Sequence, residues 1–401
     1  MNQGTWFEML INQNEYPNLA LPKADKTNIK NWNFENVELK EGNLNKTEGI
    51  PKAISHLVNE SEENIIIICD GMISYQKLSS EFEGVIISTI QEAVIAHESI
   101  MKSYFGQLIA MNENRLTALN LKHLNSGLMI YLPKNKVIKN PLNVIVIQKE
   151  QSLMNHNLII MEQGSQFKYI ENVVNDSKAI VNLNTEIVVG ENAFLDYAQL
   201  EGLTKETVVY GCRKAKVESN GRLVFSHGAL SSGQVISENK VSLVGNGANA
   251  DLKTVAIAEG KQKQNITVEI EHLAPHTEGN IVNHGISKDE AQITFNGIGK
   301  ILSGMRGSNA QQSSRAMILS KAARADANPM LLIEEYDVNA GHAASVGKID
   351  EEQLYYLMSR GLTRRESETL IIHGFLMPFI SEIKNEAVQN EFIKVIEEKI
   401  K

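Results

Sequence analysis

Hydrophobic and polar positions divide the chain into three textures. Residues 1–125 mix patterns: Asn64-Ile-Ile-Ile-Ile-Cys-Asp-Gly71 has the β-branched density and closing turn of a buried strand. Helix formers outnumber breakers from Ala93 to Leu121, and Met101, Tyr104, Phe105, Leu108, Ile109 and Met111 recur on one broad face. That spacing predicts a helical stretch with a packing role. From Gly127 to about Val346 short β-branched runs follow one another, among them Val144-Ile-Val-Ile147, Leu158-Ile-Ile-Met161, Glu186-Ile-Val-Val189 and Val241-Ser-Leu-Val244, separated by Gly, Asn and Asp. Gln163-Gly-Ser-Gln-Phe167 and Gly190-Glu-Asn-Ala-Phe194 repeat a turn-then-aromatic pattern 27 residues apart, and Asn220-Gly-Arg-Leu223 and Asn246-Gly-Ala-Asn-Ala250 echo it before the echoes drift.

A strand-turn unit recurring over more than 200 residues predicts stacked coils, because each coil buries its apolar side chains only against its neighbours. The expected fold is mainly β: a right-handed parallel β-helix over residues 126–346, flanked by an N-terminal α/β cap (1–125) and a C-terminal helical domain (347–401). On pattern alone a β-sandwich or two small β domains fit as well. The last texture is helical and sharply punctuated. Asp350 is placed to cap a helix, Ile349 and Leu354 occupy staple positions, and Gly361 supplies the stop. Thr363 with Glu366 then opens a second helix, whose apolar side is expected to carry Leu370, Ile371, Phe375 and Leu376.

Length scaling gives roughly two or three structural units. The 39 basic and 48 acidic residues leave a formal charge of −9, a poor match for nucleic acid or anionic membranes. Cys69 and Cys212, far apart in sequence, make neither a disulfide framework nor a four-thiolate metal site. Met1-Asn-Gln-Gly-Thr-Trp-Phe-Glu-Met-Leu10 has no basic-then-apolar leader, and no apolar run approaches the roughly 20 residues of a membrane span. A cytoplasmic protein with structural thiols is expected.

The chain lacks the GxxxxGK[ST] phosphate loop, since Gly297-Ile-Gly-Lys300 has neither its spacing nor its hydroxyl. Gly245-Asn-Gly-Ala-Asn-Ala250 mimics a dinucleotide fingerprint but lies between β runs and reads as a turn. His272, His276 and His284 are close in sequence, yet Pro275 excludes a helix, and in a strand positions 272 and 276 lie about 13 Å apart. Asp196, Glu201, Asp251 and Glu269 are the carboxylates a carbohydrate-active β-helix enzyme would pair. His342, in Ala340-Gly-His-Ala-Ala-Ser345, is placed by its small neighbours in a loop between solenoid and terminal helices, with no nearby group but Asp337 to complete a metal site.

The same residues carry a resemblance. Arg324-Ala-Asp-Ala-Asn-Pro-Met-Leu-Leu-Ile333, Asp337-Val338, Gly341-His342-Ala343, Val346-Gly347 and Asp350-Glu-Glu-Gln-Leu-Tyr-Tyr-Leu-Met-Ser-Arg-Gly361 look like the C-terminal signature of the SufB/SufD family of iron–sulfur cluster assembly subunits. Weaker matches reach back to Ala118-Leu119-Asn120. The chain resembles the SufD branch, because it has Gly-His-Ala-Ala around His342 and Ser314 at the position of the SufB cysteine. The resemblance implies a flanked right-handed β-helix and a non-enzymatic subunit that pairs with SufB and docks the ATPase SufC. It implies a transient iron–sulfur cluster formed in the complex with none held stably by this chain alone, and a homodimer in isolation. It places His342 at the nascent cluster or the SufB interface, as at most one metal ligand, and places SufC near Tyr355, Tyr356, Met358, Arg360 and Phe375. Ala340 stands where many SufD sequences have cysteine, so soft ligands come from elsewhere. A purely structural adaptor is the alternative reading.

Overall fold

The computed structural model describes residues 6–12, 16–39, 49–58, 63–149, 151–176, 178–381 and 386–400; Met1–Thr5 of the leader expectation lie outside them. Its strands are β1 (Ile65–Cys69), β2 (Met72–Lys77), β3 (Ile86–Thr89), β4 (Leu128–Leu132), β5 (Leu142–Gln148), β6 (Leu153–Met161), β7 (Gln166–Asn175), β8 (Ile180–Val189), β9 (Phe194–Gly202), β10 (Val208–Val217), β11 (Arg222–Ala229), β12 (Gln234–Leu243), β13 (Asn249–Ala258), β14 (Lys263–His272), β15 (Glu278–Ser287), β16 (Gln292–Ile301), β17 (Asn309–Ile318), β18 (Arg324–Ile333) and β19 (Asn339–Lys348). The helices are α1 (Trp6–Asn12), α2 (Ile90–Ala96), α3 (Glu98–Tyr104), α4 (Arg115–Lys122), α5 (Glu351–Ser359), α6 (Arg364–Ser381) and α7 (Glu386–Ile400).

From β4 onward consecutive strands alternate between two sheets. The first sheet runs β19-β17-β15-β13-β11-β9-β7-β5-β1-β2 and the second β18-β16-β14-β12-β10-β8-β6-β4-β3. All pairs from β4 onward are parallel, and antiparallel β2 and β3 close the N-terminal end. The result is a β-solenoid of about eight turns. The predicted buried strand, Ile65–Cys69, is itself the first parallel strand of the first sheet, in register with β5.

One corner repeats a left-handed residue in every coil: Gly164, Asn192, Asn220, Gly247, His276 and Gly307 all have φ between 52° and 69°. Each donates its N–H to the corresponding turn one coil on, through Asn192 to Ser219 O at 2.9 Å and His276 to Arg306 O at 2.9 Å, for example. Only the identity of the residue drifts. Asn and His supply the conformation where Gly is absent, which is why the sequence echo fades while the turn persists.

The lumen is apolar at most inward positions, including Leu195, Tyr197, Leu223, Phe225, Ala250, Leu252, Ile281, Phe295 and Val241. A polar column interrupts it at one register: Glu171, Gln199, His227, Thr254, Asn283 and Ser314 stand on successive strands of the first sheet. From β10, Arg213 enters this column and donates to Glu201, Gln199, Ser237 Oγ (3.0 Å) and Asn239 Oδ1 (3.2 Å). Burial opposes ionisation of Glu201, but the Arg213 guanidinium and His227 outweigh it and hold the carboxyl below its ordinary value. Glu171 has no such cation in contact, and burial raises it.

The predicted helical stretch 93–121 is three helices. Gly106 turns left-handed after α3, and Asn114 caps α4 with its Oδ1 accepting from Leu116 and Thr117. Between them the buried Glu186 carboxylate takes the N–H groups of Gly106, Leu108 and Ile109 at 2.6, 2.6 and 2.9 Å, amides that a continuous helix would use internally.

Two flanking layers complete the molecule. An N-terminal strap crosses the second sheet: Ile29, Trp32 and Phe34 pack on Tyr210, Cys212 and Ile236, and Asp25 O accepts from Asn265 Nδ2 at 2.8 Å. Lys26 reaches Asp326 and Asn328 of β18, both at 2.8 Å. On the other side, the C-terminal helices lie along the flank of the first sheet, where Ile372, Leu376, Ile380, Phe392 and Ile396 cover Ala198, Leu200, Leu230, Val255, Ile257 and Ile286. Gly228 makes room for them: a Cβ there would sit 3.0 Å from the Phe392 ring and 2.6 Å from Leu200.

Candidate functional site

Both sheets stop without a neighbour beyond β18 and β19 among the described residues. The C-terminal mouth of the solenoid therefore presents two strand edges, whose outer backbone groups are the kind that pair with an added strand. Burial follows this geometry, since β17 still alternates buried positions while β19 is mostly exposed along its length.

His342 lies within β19, and its loop placement is corrected here. Its run of small residues was mistaken for a loop because strand propensity is weak in Gly and Ala; parallel pairing with β17 imposes the strand instead. In that pairing Ala340, His342, Ala344 and Val346 match Ala310, Gln312, Ser314 and Ala316, the buried lumen-facing positions of β17. His342 thus continues the inward-facing column and is exposed because no coil covers it. Gln312, directly beneath, donates through Nε2 to Met330 O at 2.8 Å, while its Oε1 is buried without a partner. Ala340 is two residues away, and among the described residues no three His, Cys, Asp or Glu side chains gather to hold a metal. Among the described residues of β18 and β19, His342 is the one imidazole.

The helices beyond the mouth form a second surface. Asp350 Oδ1 accepts from Glu352 and Gln353 to cap α5, Thr363 and Glu366 form the expected reciprocal cap of α6, and Gly361 turns left-handed between the helices at φ 102°. On α5, Tyr355 is 76% exposed and Tyr356 58%, with the Arg360 guanidinium 5.7 Å from the Tyr356 ring centre, and Met358 projects beside them. Leu370, expected on the inner side of α6, is 52% exposed. It lines a shallow cavity of about 420 Å³ with Leu362, Arg365, Thr369 and His373. The inner side is carried by Ile372, Leu376 and Ile380. Phe375 stacks on His284 of β15 at 5.0 Å, so it is spent on the flank; the side chain of Phe379 lies outside the described residues.

The other sequence candidates separate. His272 is buried against Thr277 Oγ1 at 2.7 Å, His276 occupies the corner turn and His284 faces α6. Glu201 is inside the lumen, Glu269 is on the second sheet paired with Lys240, and Asp196 and Asp251 stand two coils apart on the first sheet, each in register with Val224 of the coil between, so these four carboxylates do not converge. Both cysteines are buried, and burial pushes the Cys212 thiol far up. Among the described residues no helix is long and apolar enough to cross a membrane.

Residues 144–375 match the family model described as the SUF system FeS cluster assembly, SufBD core domain, and residues 11–144 match the SufBD protein N-terminal region. The chain belongs to the SufBD family. Its relatives include the iron–sulfur cluster assembly protein SufD of Bacillus subtilis, 38% identical over 96% of this chain and 91% of that protein. SufBD family proteins of Staphylococcus saprophyticus and Staphylococcus epidermidis are 28% and 27% identical, each alignment covering 80% of this chain and 71% of the relative. Family membership places the chain in SUF iron–sulfur cluster assembly, and the core match runs from β5 through the mouth to most of α6.

The sequence did not reveal the strap, the Arg213 cluster or Gln312 beneath His342. Each depends on which coil stacks on which, and only the strand register supplies that.

Proposed function

We propose that this chain is the cytoplasmic, non-ATPase, SufD-type subunit of a SUF complex, joined to SufB through its open mouth and to the ATPase SufC through the outer surface of α5 and α6. The observation that carries the reading is the mouth itself: two unpaired sheet edges frame a lumen-directed histidine. A second β-helix docking there continues both sheets and encloses His342, which then offers one nitrogen or hydrogen bond to a cluster assembled as cargo. Thiolate ligands come from the partner or sulfur donor, because position 340 is alanine. The chain by itself catalyses nothing and holds no stable cofactor. Tyr355, Tyr356, Met358, Arg360 and Leu370 supply the exposed aromatic, thioether and guanidinium groups that anchor interfaces.

Anaerobic co-purification with SufB and SufC, comparing native chain with His342→Ala, tests the reading. Intact assembly with a sharp fall in iron and sulfide supports a His342 role. Absence of any complex overturns the reading. Ala340 favours one specific alternative, a structural adaptor, and that reading gives an intact complex with unchanged iron and sulfide.

A further inference from the structure

Lys399, near the end of α7, serves neither the mouth nor the α5–α6 surface. Its ammonium donates to Ser231 O at 2.9 Å and approaches Ile257 O at 3.5 Å, two carbonyls on the flank of the first sheet. It also lines two cavities. One, of about 430 Å³, lies between α7, residues 53–57 and the segments 174–176 and 202–204; the other, of about 110 Å³, lies between α7, α6, β13 and β15. Glu259 lines both, Lys288, Arg365 and Glu368 line the smaller, and Asp176, Lys394 and Glu398 line the larger. These opposite charges nearly balance. Burial therefore dominates and draws the Lys399 ammonium down to about 8, with Glu259 offsetting only part of the effect.

We infer that Lys399 is an amine-acylation site, reached through the larger cavity by a small acyl phosphate, and that its acylation unfastens α7 from the solenoid flank. In the reaction the free amine attacks the acyl carbon. The C–N bond forms as the C–O bond to phosphate breaks, phosphate leaves with that electron pair, and the proton shed by nitrogen passes to solvent. The product amide has lost the positive charge and all but one N–H, so it cannot hold both carbonyls. Phe392 and Ile396 then remain as the apolar anchors of α7. At pH 8 an amine titrating near 8 is about half free, against well under one part in a hundred for an ordinary lysine.

The intact chain is incubated with acetyl phosphate from pH 7 to 10.5, and each lysine's rate is read by peptide mass spectrometry. Lys399 is expected to react at least about tenfold faster at pH 8 than the exposed Lys205 and Lys321, with a rate that levels near pH 9. A rate no higher than theirs, or one still climbing to pH 10.5, overturns the site. Hydrogen exchange supplies the second readout: Lys399→Gln and the acetylated chain should exchange amides of residues 386–400 faster than Lys399→Arg and native chain, with β10, β12 and β14 of the second sheet unchanged. Equal exchange in all four overturns the release. Should Lys399→Gln misfold, the acetylated native chain still decides both points.

Discussion

Arg213 is 1% exposed in a lumen lined mostly with Leu, Phe, Tyr and Val. Its guanidinium is the cation facing Glu201, and it also satisfies Gln199, Ser237 and Asn239. Arg213→Met keeps most of the side-chain length, so little of the effect comes from a cavity. What remains is a buried carboxylate with the His227 imidazole, at 3.2 Å, as its remaining partner, and removing one partner of such a pair costs about 3–5 kcal/mol. The loss should depend on pH with a definite sign. In the native chain the Glu201 carboxyl is held below its ordinary value, so its stabilisation is present above that value and disappears as acid protonates it. In the variant, burial without the guanidinium raises the same carboxyl, so the deficit is largest near pH 7 and shrinks towards pH 4. Arg213→Met/Glu201→Gln, which removes both charges, should recover most of the stability. Urea unfolding followed by circular dichroism at pH 7 and pH 4.5 measures all three proteins. A single-variant loss under about 1 kcal/mol at pH 7, or a double variant no more stable than the single, would refute the argument that the lumen charge is held in place by compensation.

Three further outcomes follow from features of the fold. Gly228→Val should displace Phe392, cost about 1–3 kcal/mol in urea unfolding and accelerate hydrogen exchange in α7, whereas unchanged exchange would show that the close approach is unimportant. Burial lowers His272 to about 4, so the unfolded chain takes up this proton first: stability is full above pH 6.5 and falls towards pH 4 by up to about 3 kcal/mol. His272→Gln should flatten that slope, and an identical slope would contradict the assignment. Glu186→Ala orphans three amides, that of Ile109 buried and those of Gly106 and Leu108 part-buried, and should cost about 2–4 kcal/mol, with exchange rising first at residues 106–109; a loss confined to distant coils would refute it.

What the sequence made legible was local. Asp350, Gly361 and the Thr363–Glu366 pair signal their helix ends within four residues, and each is seen as expected. The coiled architecture was legible because the corner turn recurs with Gly or Asn at five of its six positions. Other features depended on contacts between coils. The helical face at Met101 and Phe105 gave no sign that Glu186, some 80 positions later, would capture the amides after Tyr104. At the candidate site, the identity of His342 was readable and its environment was not, because its inward direction is set by Gln312 on the preceding coil.

The strap carries a consequence for synthesis. Lys26 is separated from Asp326 by 300 positions, and Asp25 from Asn265 by 240. At about 5–20 residues per second, the strap waits roughly 15–60 s between emerging from the ribosome and meeting its last partner. Coils can stack in order behind the ribosome meanwhile, since each needs only its predecessor. A nascent chain that terminates before residue 326 can bury Trp32 and Phe34 and hold Asp25 through Asn265, yet its Lys26 ammonium never meets Asp326, so it leaves the ribosome with its N-terminal arm only partly latched. Full-length synthesis is thereby written into the shape of the product, where proteases and chaperones can read it.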